Sequence, residues 1–295
     1  MIGTNSKRID LDTLRTELQG IEAVKCPPSI LQEILLVVEN PRSGAKEVEN
    51  IVERDMSCSL KLLKLANSAY YGFSRQVKTI REAIVIIGLD GVKNVAMSLA
   101  VADAFKKGTP AERKFLEDLW VHSMATATAA SMLAKEVASE ISPSLAYCSG
   151  LVHDIGKVIF KEHFGANYME VFGKAREGKL PISLVEEEEL GVDHARVGGW
   201  VADAWDLPEV ITWVLREHHS KTGPWDRAEK PIGLLALADA IAYESKAGHG
   251  GNFKPRRTDH PTFASLGVDD KAIKAVQAEI IKRAGRFSEL LRLAG

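Results

Sequence analysis

Apolar residues recur along this chain at spacings of three and four, and almost nowhere at the alternating spacing of a strand. Leu31, Ile34, Leu35 and Val38 form an i, i+3, i+4, i+7 stripe behind Pro27-Pro28-Ser29. Asn40-Pro41 stops it, because the residue before a proline is pushed out of helical geometry. Val48, Ile51 and Val52 mark a second short helix, and Leu60, Leu63 and the run through Ala66 a third. Thr79 and Glu82 make a capping box ahead of Ile84, Ile86 and Ile87. Gly88 to Gly91 is expected to break that helix, with Val92, Val95, Ala96 and Leu99 starting the next.

Lys107-Gly108-Thr109-Pro110 reads as a boundary and as a helix start: Thr109 caps, Pro110 takes the first position and Glu112 closes the box. The helix that follows runs to about Glu136. Ser142-Pro143, Leu207-Pro208 and Lys230-Pro231 read as further helix starts, and a last amphipathic helix begins near Asp269. Glu244 to Pro261, rich in Gly, Pro and charge, reads as an exposed loop. Glu186 to Glu189 reads as a solvated helix face, and Gly198-Gly199 as a site of close helix packing. The chain is therefore expected to be all-α, with an N-terminal helical cluster over residues 10–108 and a second helical bundle over 109–295.

Composition narrows the function classes. Apolar residues make up 45% and charged residues 26%, an ordinary globular balance. A formal charge of -2 gives no electrostatic reason to expect nucleic acid or an anionic membrane as partner. The longest apolar stretch, Ala83 to Leu89, is too short to cross a bilayer, and the polar N-terminus carries no signal-peptide core. Three scattered cysteines, Cys26, Cys58 and Cys148, argue against a disulfide framework. A cytoplasmic protein is expected.

Five of the eight histidines fall in an ordered series with two aspartates: His122, His153-Asp154, His194, His218-His219 and Asp239. Imidazole and carboxylate are ligands for borderline and hard divalent metals, and this mixed set suits Fe, Mn, Zn, Ni or Mg. Asp118 lies four residues before His122 on one helix, placed either to join the ligands or to hold the ring. His153 and Asp154 are adjacent, roughly 100° apart on a helix, and can both reach one metal, or bridge two, where an end-on arrangement allows it. His194 reads either as a ligand or as the first residue behind an Asp193 cap. Lys157, one turn after Asp154, reads either as a solvated lysine or as a phosphate contact. Asp239 lies in an apolar helix where a lone carboxylate is costly unless paired or metal-bound.

The order His122, His153-Asp154, Asp239 resembles the H…HD…D set of the HD superfamily of metal-dependent phosphohydrolases. His194 and His218-His219 match the additional ligands of its HD-GYP branch, and Asp118 and Lys157 fall where that branch has an acidic ligand and a phosphate-contacting lysine. In the N-terminal half, Leu65-Ala66-Asn67-Ser68-Ala69-Tyr70-Tyr71-Gly72, Ile80-Arg81-Glu82-Ala83-Ile84 and Ile87-Gly88-Leu89 resemble the HDOD (HD-related output domain) signature. The likeness runs from about Cys26 to Tyr243. The chain departs from HD-GYP after His219, where Ser220-Lys221-Thr222-Gly223-Pro224-Trp225 has no Gly-Tyr-Pro.

The resemblance implies a bacterial signal-transduction module with a bound site for one to three divalent ions. His122, His153, Asp154, His194, His218, His219, Asp239 and Asp118 are the ligand candidates. Its partner would be a kinase, a receptor or a diguanylate-signalling protein acting in trans. The alternative it implies is a metal-dependent phosphohydrolase or phosphodiesterase acting on a nucleotide or cyclic dinucleotide. In that case Asp154 would orient the nucleophile and Lys157 would stabilise developing charge.

Overall fold

The computed structural model describes residues 11–19, 29–40, 42–67, 76–137, 141–220, 228–253, 263 and 266–294. Outside them fall Cys26-Pro27-Pro28, the Ser68 to Gly72 part of the signature with its two tyrosines, and Lys221 to Trp225. Among the described residues the structure is all-α, with no strand.

The N-terminal half contains α1 (Leu11–Gln19), α2 (Ser29–Glu39), α3 (Ala45–Arg54), α4 (Met56–Ala66), α5 (Ile80–Ile87) and α6 (Leu89–Ala102). A 3-10 turn, Asp103–Phe105, leads into α7 (Pro110–Glu136). Then come α8 (Pro143–Val152), α9 (Ile155–Phe164), α10 (Ala166–Gly178), α11 (Ile182–Leu190) and α12 (His194–Ala204). The described helices end with α13 (Glu209–Glu217), α14 (Glu229–Glu244) and α15 (Asp270–Leu293).

Local chemistry accounts for the boundaries. At α7 both capping-box bonds form: Thr109 N–H donates to Glu112 at 2.7 Å, and Glu112 N–H donates to the Thr109 hydroxyl at 3.4 Å. Ser142, Asp193 and Asp269 cap α8, α12 and α15 with one bond each, the side-chain oxygen accepting from the N–H three residues on. At α5 only half of the expected box forms. Thr79 accepts from Glu82 N–H, but the Glu82 carboxylate reaches back to Lys78 N–H instead. The break after α5 is confined to Gly88, whose φ of 86° a side chain would strain; Gly91 continues inside α6.

The long helix α7 organises the bundle. Its residues from Leu119 to Ala130 are buried on every side, because α8, α14 and α15 all pack on it. Gly150 of α8 permits the α7 contact, since a Cβ there would lie 2.6 Å from the Ala127 Cα. The buried Trp120 indole donates to the Phe287 carbonyl at 2.8 Å, tying α7 to α15. The hydrophobic core is continuous from Leu14 to Ala294 and crosses the junction between the two halves. No single helix among the described residues is long and apolar enough to cross a membrane.

Two expectations change. The tightest contact at any described glycine is at Gly156, where a Cβ would meet the His194 carbonyl oxygen at 2.1 Å and the Gly198 nitrogen at 3.0 Å. Gly198 faces it, whereas Gly199 lies against the Arg216 side chain. The segment after Glu244 is described only as far as Phe253, with 254–261 outside the described residues, and in that part Ala247, Gly250 and Gly251 are buried. Gly248, at φ 71°, brings the chain so near α7 that a Cβ would sit 2.3 Å from the Asp118 carbonyl oxygen. Small residues there mark a backbone that packs closely, not one that leaves the surface.

Gly156→Ala drives a methyl group into backbone that no rotamer change can move. It should lower stability by about 1–3 kcal/mol in urea unfolding. A loss of less than about 0.5 kcal/mol would show that α9 and α12 separate freely.

Candidate metal centre

Seven of the eight candidate ligands converge where four helix ends meet the middles of α7 and α14. His122 projects from the middle of α7 and Asp239 from the middle of α14. His153 and Asp154 form the turn between α8 and α9, the end-on arrangement in which neighbouring side chains can address one centre. His194 is the first residue of α12, so it is both the residue behind the Asp193 cap and a member of the cluster. His218 ends α13 and His219 follows it. All are buried except His219, which is half-buried and forms the outer edge.

The donor atoms fall into two groups, Asp154 with His194, His218 and His219, and His122 with His153 and Asp239, each spanning no more than 4.8 Å. Asp154 lies between them. Its Oδ2 is 3.3 Å from His153 Nε2 and its Oδ1 is 3.3 Å from His194 Nε2. His122 Nε2 lies 2.9 Å from Asp239 Oδ1, so the buried aspartate is paired. His194 Nε2 and His219 Nε2 face each other at 3.0 Å.

The donor set fits a metal ion on a test internal to this structure. His153 Nδ1–H donates to the Gly150 carbonyl at 2.8 Å, and His218 Nδ1–H donates to the Leu215 carbonyl at 2.7 Å. A carbonyl can only accept, so both tautomers are fixed and both Nε2 atoms present lone pairs inward. These two Nε2 atoms and Asp154 Oδ1 are buried without a hydrogen-bond partner among the described residues. An orphaned buried acceptor costs about 1–3 kcal/mol, which a coordinated cation would offset.

The surroundings set the charge states. Burial, with His153 and His194 nearby, pushes His218 down to about 3, leaving it neutral. Burial would push His194 down as well, but the adjacent Glu186 carboxylate outweighs it and holds the ring up at about 9. Burial would raise the Asp154 carboxyl; His153, Lys157 and His194 together hold it well below the usual range. Asp239 is held at about 2 against burial by its hydrogen bond to His122 and the charge of its neighbours.

Glu186, expected on a solvated face, is fully buried. It accepts from the Tyr168 hydroxyl at 2.6 Å, from the His194 backbone N–H at 2.9 Å and from His194 Nδ1–H at 2.5 Å, so it orients a candidate ligand. Register could have found it, since position 186 shares the buried stripe of Ile182, Val185 and Leu190 while 187 to 189 point out.

Asp118 does not join the donors. Its carboxylate faces outward to Lys114 at 2.6 Å, and only its backbone serves the centre, by accepting from His249 N–H at 3.0 Å. Lys157 is not solvated: 2% exposed, it donates to Asp154 Oδ2 at 2.7 Å and to the Gly250 carbonyl at 2.5 Å. Gly250 lies directly over the centre, where a Cβ would meet His122 Nε2 at 2.7 Å and Asp154 Oδ2 at 3.1 Å.

A family model described as the HDOD domain matches residues 25–221. A curated protein of Treponema pallidum (strain Nichols) is 29% identical over 238 residues, covering 79% of this chain and 46% of its own length. The chain thus spans about half the length of that relative. Among solved structures, an HDOD domain protein of unknown function from Geobacter sulfurreducens is 26% identical with a TM-score of 0.76, covering 97% of this chain and 99% of that one. A protein described as a signal transduction protein, from Marinobacter aquaeolei VT8, shares the fold at a TM-score of 0.77 and 21% identity, covering 95% and 61%.

Glu186→Ala would strand two donors on His194 and the Tyr168 hydroxyl in a dry interior. It should cost about 3–5 kcal/mol in chemical denaturation. A variant within about 1 kcal/mol of the parent would show that Glu186 does not hold the ring.

Proposed function

This chain belongs to the HDOD family, and on that premise we propose that it is a signal-transduction module whose metal centre stabilises the bundle rather than turning over a substrate. The observation that carries this reading is the closure of the centre. Six of its seven converging ligands are buried, and the loop through Gly250 lies over His122 and Asp154. Lys157, the residue best placed to neutralise a phosphoryl oxygen, is spent on Asp154 and on the Gly250 carbonyl. In this reading the ion ties together the four helix ends and the two helix middles that meet there. The input or output partner is a signalling protein, a kinase, receptor or diguanylate-signalling protein, supplied in trans.

A second reading, a metal-dependent phosphohydrolase or phosphodiesterase for a nucleotide or cyclic dinucleotide, is favoured by one feature. The half-buried His219 edge leaves one side of the centre less covered than the rest. A divalent ion would supply polarisation of a phosphoryl oxygen and a bound water of lowered pKa. Asp154 would then orient that water and Lys157 would have to leave Gly250 to reach the phosphate.

Chelation should lower the melting temperature and readdition of the ion restore it, the metal contributing about 2.7 kcal/mol when held at a hundredfold excess over its Kd. Stripped protein melting with loaded protein would remove the basis of the structural reading. Phosphodiesters, nucleotides and cyclic dinucleotides offered with Mn, Fe, Mg and Zn should not be hydrolysed; turnover with any of them would move the assignment to the second reading.

A further inference from the structure

We infer that the centre holds one resident dication, seated in the four-donor group of Asp154, His194, His218 and His219, and that the Lys157 ammonium stands in place of a second. This rests on the metal-centre reading above and adds the number and seat of the ion.

The two oxygens of Asp154 are committed differently. Oδ2, which faces His153 and lies 3.8 Å from His122 Nε2, is taken by Lys157. The ammonium cannot swing away without abandoning the Gly250 carbonyl as well. Oδ1, which faces His194, has no hydrogen-bond partner among the described residues. The group of His122, His153 and Asp239 is already partly satisfied from within, because His122 Nε2 is hydrogen-bonded to Asp239 Oδ1. That leaves His153 Nε2 bare beside Asp154, and His122 Nδ1 bare on the far side of its ring from Asp239.

The group of Asp154, His194, His218 and His219 has one internal contact, His194 with His219, and keeps two buried atoms, Asp154 Oδ1 and His218 Nε2, without a hydrogen-bond partner among the described residues. Glu186 accepts the Nδ1 proton of His194, which turns His194 Nε2 toward His219 Nε2 at 3.0 Å; in the neutral ring that coordination requires, this Nε2 offers a lone pair. Only one proton can occupy that contact, and a cation bound there would take its place. His218 Nε2 adds a third nitrogen lone pair and Asp154 Oδ1 an anionic oxygen.

Formal charge gives the number. Three buried carboxylates, Asp154, Asp239 and Glu186, face one buried ammonium, Lys157. With ligand imidazoles neutral, as coordination requires, the centre stands at -2. One dication brings it to zero. A second would leave +2 in a buried setting, where uncompensated charge is strongly disfavoured.

The test is a zinc titration of the full-length protein, stripped by chelator and handled in phosphate-free buffer. Bound zinc is counted by elemental analysis after gel filtration, and folding is checked by circular dichroism. The parent and Asp239→Asn should each bind one equivalent, and His218→Ala none; His219→Ala supplies the same answer if the first variant does not fold. Lys157→Met, which frees Asp154 Oδ2, should bind two, and Lys157→Arg, which keeps the cation, one. Two equivalents in the parent, or one in Lys157→Met, would overturn the role given to Lys157. Retention of zinc by folded His218→Ala together with its loss from Asp239→Asn would overturn the seat. No zinc in the parent would instead remove the metal-centre reading itself.

Discussion

A buried charge must be matched where it sits, and the middle of this bundle contains three carboxylates and an ammonium. Asp154, Asp239, Glu186 and Lys157 all lie inside, beside an apolar core that offers them no water. Each has found a partner: Lys157 for Asp154, His122 for Asp239, and His194 with Tyr168 for Glu186. The pairing is incomplete, because Asp154 Oδ1 and the Nε2 atoms of His153 and His218 remain bare. Much of the architecture around this point reads as the means of keeping those groups close without collapsing onto one another.

Backbone contacts hold the geometry. The α8–α9 turn can present His153 and Asp154 together only because Gly156 lets α9 lie against the start of α12, which puts His194 opposite them. Carbonyls at Gly150 and Leu215 fix two ring tautomers. Gly248 and Gly250 let the segment after α14 lie on α7 and over the centre, where its carbonyl takes the Lys157 ammonium. A ligand set built this way depends on packing some distance from it, and α15 takes part through the Trp120 to Phe287 hydrogen bond, two residues from His122.

Much of this was legible in the sequence where the signal is local. Thr109-Pro110 with Glu112, Ser142-Pro143 and Asp269 carry their capping chemistry within a few residues, and α7, α8 and α15 begin at those signals. The histidine and aspartate order was legible too, because the helix ends bring seven of those side chains together. What failed depends on which way a face turns. In the run Glu186 to Glu189 four identical side chains differ only in register, and one turns inward to hold His194. Gly-rich sequence after Glu244 signals freedom of the backbone, which serves an exposed loop and a closely packed cover equally well. Asp118 has the spacing of a ligand, but Lys114, one turn before it, draws its carboxylate outward.

A donor set this buried, with three atoms bare, calls for a cation. Anomalous diffraction from crystals grown without added metal, measured on either side of the absorption edges of iron, manganese, nickel and zinc, addresses it directly. A single anomalous peak should appear, bounded by Asp154 Oδ1 and the Nε2 atoms of His194, His218 and His219, with Lys157 still on Asp154 Oδ2. Ordinary water at that position, with no anomalous signal at any edge and none after soaking with zinc, would contradict it.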